Sequence, residues 1–118
     1  MTPEELRART KAFALRIIKL VGALPRHPAA RVIGTQIVRS ATSVGANYRA
    51  ACRAQSRAAF AAKLAIVEEE ADETHYWLEL LTESGCVKPD SLRDLIKEAR
   101  EIVAIVTASR KTLRTRET

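Results

Sequence analysis

The chain reads as an all-α protein: one domain of 118 residues folded as an antiparallel up-down four-helix bundle. Three observations carry that expectation. Apolar residues recur at spacings of three and four in four successive segments. Ala, Leu, Ile, Val, Arg and Glu dominate, with four Gly and four Pro, a mix that favours helices. No strand-like alternation, long loop or low-complexity tract intervenes, so the connections are short and consecutive helices are antiparallel neighbours.

The first helix is expected over about 3–24. Thr2 suits the N-cap, Pro3 the first helical position, and Glu5 completes a capping box. Phe13, Ile17, Leu20 and Leu24 form its apolar stripe, and Pro25 stops it. The second helix spans about 29–53. Its stripe is Ile33, Ile37, Ser40, Val44, Tyr48 and Ala51, and the small residues Gly34, Ala41, Gly45 and Ala46 let a neighbour approach closely.

The third helix is expected over about 56–84, with Ser56 as N-cap and Gly85 just past its end. Phe60, Leu64, Val67, Ala71, Thr74, Leu78 and Leu81 give the clearest heptad seam in the chain. The join Arg53-Ala54-Gln55-Ser56 holds neither Gly nor Pro, so one continuous helix through it stays open. The fourth helix covers about 89–113 with Leu92, Leu95, Ala99, Ile102, Val106 and Leu113, and its polar end is expected to fray.

Charge is strongly segregated. Residues 6–67 contain 12 basic side chains and no acid. Residues 1–67, 68–101 and 102–118 carry net charges of +10, −7 and +3. Such unevenness points to a polyanion surface, or to complementary patches that meet in an assembly. On the second helix Arg31, Arg39, Arg49 and Arg53 gather on the outward side, and Arg57 follows just past its end. They read as a phosphate-binding stripe, with Arg7, Lys11 and Lys19 of the first helix as contributors or intersubunit partners. A pairing of Arg39 with Glu69 or Glu70 would remove it from that stripe. Gln36, Ser43 and Asn47 line one flank and are expected to bond between helices.

Two helices carry apolar residues on a second face. Leu15 and Ile18 fall opposite Phe13 and Ile17, and Tyr76 and Leu80 fall opposite the third-helix seam among Glu69, Glu73 and Glu83. A subunit interface accounts for both. A head-to-tail contact that joins the acidic face to a basic one closes into a ring.

Little in the chain points to catalysis. Asp72 and His75 have the spacing of half a di-iron carboxylate site, but the only other histidine, His27, lies in a Pro-flanked loop. Cys52 lies near Arg49 and Arg53, yet no base accompanies it. No phosphate-loop or dinucleotide-binding motif occurs. The expectation is a non-enzyme with no metal and no cofactor. Cys52 and Cys86 bracket one helix and would lie ~40 Å apart, so free thiols are expected. No run nears the ~20 apolar residues of a membrane span and no signal-peptide pattern opens the chain, which makes the cytoplasm the expected location.

The segment Gln36-Ile37-Val38-Arg39-Ser40-Ala41-Thr42-Ser43-Val44-Gly45-Ala46-Asn47 resembles the second-helix signature of the four helix bundle protein family, the 23S rRNA intervening-sequence or S23 family. Glu69-Glu70-Ala71-Asp72-Glu73-Thr74 with Tyr76-Trp77-Leu78-Glu79-Leu80-Leu81 is similar to its third helix. Many members continue after the Asn with Ala-Glu-Gly, where this chain has Tyr48-Arg49-Ala50. The resemblance implies a four-helix bundle similar to ring-forming pentamers. Those include the accessory variability determinant of diversity-generating retroelements, a basic protein that associates with nucleic acid. It brings no catalytic residues. The expected function is a non-enzymatic, self-associating bundle, pentameric by that resemblance, that binds RNA or DNA phosphates. The alternative is a pure assembly or adaptor protein whose basic and acidic faces pair between subunits.

Overall fold

The computed structural model describes residues 1–117. It contains α1 (Pro3–Gly22), α2 (Pro28–Cys52), α3 (Arg57–Glu83) and α4 (Pro89–Glu117), and no strand among the described residues.

Side-chain caps set most of the boundaries. Thr2 Oγ1 accepts the Glu5 N–H, and Glu5 Oε2 accepts the Thr2 N–H, each at 3.1 Å. This capping box satisfies two donors that a helix start otherwise leaves bare. Helix α1 ends at Gly22, two residues before the expected stop, because Pro25 disfavours helical backbone at Leu24. His27 caps α2: its Nδ1 accepts the Ala29 N–H at 3.1 Å, which makes Pro28 the first helical residue.

The chain breaks between α2 and α3. Ser56 is extended, with φ −148° and ψ 161°, and its Oγ accepts the Ala59 N–H at 3.1 Å. A continuous helix through 53–56 is thereby excluded. Past α3, Gly85 takes φ +80°, and the Val87 N–H reaches back to the Leu81 carbonyl at 3.3 Å. A Cβ is disfavoured in that left-handed conformation, so glycine suits the exit. Helix α4 runs past the expected end at 113 to Glu117, with no Gly or Pro after Pro89 to interrupt it.

The four seams converge on one core. Phe13 and Ile17, Ile37 and Val44, Leu64, Val67, Leu78 and Leu81, and Leu92, Ile102 and Val106 are all fully buried. Consecutive helices pack side by side and α4 returns to α1, while the backbones of diagonal helices stay apart among the described residues. The α2–α3 seam is the most extensive and the α1–α4 seam the least.

Polar groups finish both of those seams. Thr74 Oγ1, fully buried, lies 2.8 Å from Ser40 Oγ and 2.8 Å from the Glu70 carbonyl, so α2 and α3 share a dry hydroxyl pair. Arg9 spans the α1–α4 seam. Its Nε and Nη2 each donate to Glu98 at 2.7 Å, and Nη2 also reaches Glu101 at 2.6 Å. Those hydrogen bonds hold the Glu98 carboxyl below its usual range, against the opposing effect of burial. No helix among the described residues is long and apolar enough to cross a membrane.

Candidate functional site

Helices α1 and α2 come very close where their side chains are small. A Cβ added to Gly45 would lie 3.6 Å from the Thr10 backbone, an ordinary contact with no room to spare. Outside this contact the surface opens into a groove of about 610 Å³. Ala8 and Ala14 of α1, with Thr42, Gly45 and Ala46 of α2, form its floor. Arg7 and Lys11 stand on one wall, Arg49 and Arg53 on the other.

No acidic side chain lines the groove. Arg7 has one nearby carboxylate, Glu4, at 3.8 Å, and Glu4 is largely exposed. Lys11, Arg49 and Arg53 make no ion pair among the described residues. Four positive charges held this close repel one another unless an anion joins them. Tyr48 is buried beside this end of α2. Burial, and then the neighbouring Cys52 thiol, push the phenol pKa up to about 12, so it adds no negative charge.

The structure splits the arginine stripe expected from the sequence. Arg49 and Arg53 reach the groove. Arg31 lies 18 residues from Arg49 along α2, ~27 Å at the helical rise, in a recess with Val21, Leu24 and His27. Arg57 is exposed as the first residue of α3, outside the groove lining. Arg39 is taken out of the stripe. It donates to Glu70 at 3.2 Å and pairs with Glu73, because α2 and α3 place these side chains opposite each other. Arg7 and Lys11 line the groove and Arg31 does not. Their i, i+4 spacing beside the small residues Ala8 and Ala14 is the signal for them.

The outer faces fare similarly. Leu15, Ile18 and Tyr76 are 59%, 47% and 53% exposed, so their apolar surface is bare in the single chain. Leu80 is half-buried and packs against the edge of the core. Glu73 is spent within the chain, on Arg39 and on the Trp77 indole N–H at 2.9 Å. Glu69 stays exposed. The polar residues Gln36, Ser43 and Asn47 bond within α2 and not between helices: Gln36 accepts from Arg39, and Asn47 donates to Ser43. Their rotational phase keeps them beside residues of their own helix.

His75 Nδ1 sits 3.5 Å from Glu79 Oε1, and His27 is committed to its cap. No cluster of three or more potential metal ligands occurs among the described residues, and Cys52 and Cys86 are free thiols.

Residues 4–108 match the family model for the 23S rRNA-intervening sequence protein. A crystal structure of a protein of unknown function from the S23 ribosomal protein family of Bacteroides thetaiotaomicron VPI-5482 is similar, with a TM-score of 0.87 and 37% sequence identity. The alignment covers 94% of this chain and 99% of that one. The search of curated proteins found no match.

Proposed function

The chain belongs to the 23S rRNA-intervening sequence protein family, and on that premise we propose that it is a non-enzymatic, self-associating helical protein whose α1–α2 groove holds the phosphate backbone of RNA or DNA. One observation carries this reading: Arg7, Lys11, Arg49 and Arg53 converge on a groove with a small-residue floor and no acid in its lining. The small floor lets a backbone come close. The guanidinium forks then grip phosphate oxygens in pairs, and Lys11 adds a point charge. Only 4% of the residues are aromatic, so base stacking is scarce and contacts to phosphate set position with little sequence choice.

Arg49→Glu together with Arg53→Glu tests the groove. Affinity for a labelled duplex, read by fluorescence anisotropy, should fall by at least about tenfold at near-physiological salt, with helical content unchanged. In the wild type, log affinity should fall with log salt by about 0.9 per phosphate neutralised on a duplex. An affinity that ignores the double reversal rules out the groove.

The exposed apolar faces support self-association. Leu15 and Ile18 lie on α1 and Tyr76 on α3, the diagonal helix, so the two patches face away from each other. Patches so placed join head to tail, the geometry of a ring. Leu15→Glu with Ile18→Glu should reduce the mass measured by light scattering, and an unaltered mass would remove both residues from the interface. A second reading has an observation of its own. Glu69, Asp72 and Glu83 are exposed on α3 and make no ion pair among the described residues. They could neutralise the next copy's basic groove and leave a pure assembly protein. In that case the oligomer loosens as salt rises, and labelled nucleic acid does not bind even at low salt.

A further inference from the structure

We propose that the opposite side of the bundle carries a second phosphate-binding face, so that one molecule bridges two nucleic-acid segments. This rests on the α1–α2 reading above for the first segment.

A groove of about 680 Å³ is lined mainly by α4, with Thr82 contributed by α3. Arg93, Lys97 and Arg100 stand along it. Its one acid, Glu101, is already engaged by Arg9 at 2.6 Å. Arg93 pairs with Asp90 on the same helix. Lys97 and Arg100 are exposed and make no ion pair or side-chain hydrogen bond among the described residues. At about 100° per residue, Arg93, Lys97, Arg100 and Lys111 share one arc of α4, and the stripe is ~27 Å long at 1.5 Å per residue.

Position makes this face separate from the first. The backbones of diagonal helices stay apart among the described residues, so the α1–α2 and α3–α4 edges are opposite sides of the bundle. A duplex lying in one groove leaves the other free.

Chemistry selects the occupant. Among the described residues the large exposed apolar side chains are Met1, Leu15, Ile18, Val32 and Tyr76, and none lies on α4. The apolar part of the groove lining is Pro89, Ile96 and Ala104. The unpaired Lys97 and Arg100, in line with Arg93, complement the regular charges of a sugar-phosphate backbone.

The test uses two duplex RNAs of unrelated sequence, one labelled with an energy donor and one with an acceptor. Wild-type protein should bring them together and produce energy transfer. Lys97→Glu with Arg100→Glu should return transfer to the protein-free level. Affinity for one duplex should stay within about threefold, because the α1–α2 groove is intact. The mass in solution should not change. Absence of transfer with the wild type overturns the proposal. So does transfer that survives the double reversal, since several copies of the first groove then do the bridging. A changed mass overturns it by making this face a protein interface. The Arg49→Glu and Arg53→Glu variant separates the two readings: if it binds one duplex as the wild type does, the α1–α2 groove fails independently of α4.

Discussion

Helix α2 meets its two neighbours with the same kind of side chain and with opposite results. Toward α3, Arg39 finds Glu70 and Glu73 and is neutralised. Toward α1, Arg49 and Arg53 find Arg7 and Lys11 and are not. The neighbours explain the difference. Helix α3 brings a run of carboxylates to the seam. Helix α1 has only Glu4 and Glu5, both in its first turn, and Glu5 is tied to the Thr2 cap. A surplus of basic residues thus becomes a candidate site only where the adjoining helix supplies no acid. The α3 flank of α2 works for the fold, and the α1 flank is free for a ligand.

That division can be broken first at the buried hydroxyl pair. Thr74→Val keeps the shape of the side chain and removes the hydroxyl that lies between Ser40 and the Glu70 carbonyl. Thr74 and Ser40 are fully buried, so no water replaces the lost partner. The expected cost is about 1–2 kcal/mol, read from the urea midpoint. Affinity for duplex RNA should not move. A fall in affinity at unchanged stability would mean that the two flanks of α2 are not independent.

Much of this arrangement was legible in the sequence, and the failures have physical causes. The four seams were legible because a period near 3.6 is a property of one helix alone. So were the caps at Thr2 and Ser56 and the turn at Gly85, which depend on residues close in sequence. The cap at His27 was not, since histidine is a rare acceptor there. The break at 53–56 rests on Ser56 alone, and pattern without Gly or Pro could not decide it. The fates of Arg39 and Glu73 were not legible, apart from the possibility that an acid of α3 takes Arg39. Pairing across a seam depends on the rotational phase of two helices and their axial register, and neither is written in either helix by itself. The same holds for Leu80, whose wheel position is outward but whose side chain folds back on the core edge.

Arg39→Glu is the smaller and sharper cut. It sets a third carboxylate against Glu70 and Glu73, where like charges replace an ion pair. Arg39 is 48% exposed, so solvent screens much of the change, and the cost should be about 1 kcal/mol or less. Added salt should shrink that cost, as it does for any exposed pair. The binding consequence runs the other way from the charge arithmetic. Arg39→Glu and Arg49→Glu alter net charge equally, so a protein that attracted nucleic acid by total charge alone would lose the same affinity from each. Local phosphate contact makes them different. The reversal at Arg39, already neutralised, should leave duplex affinity within about twofold, while the reversal at Arg49 removes a cation from the groove wall. Equal losses would mean that the whole basic half acts as a diffuse field and that the α1–α2 groove has no special part in it.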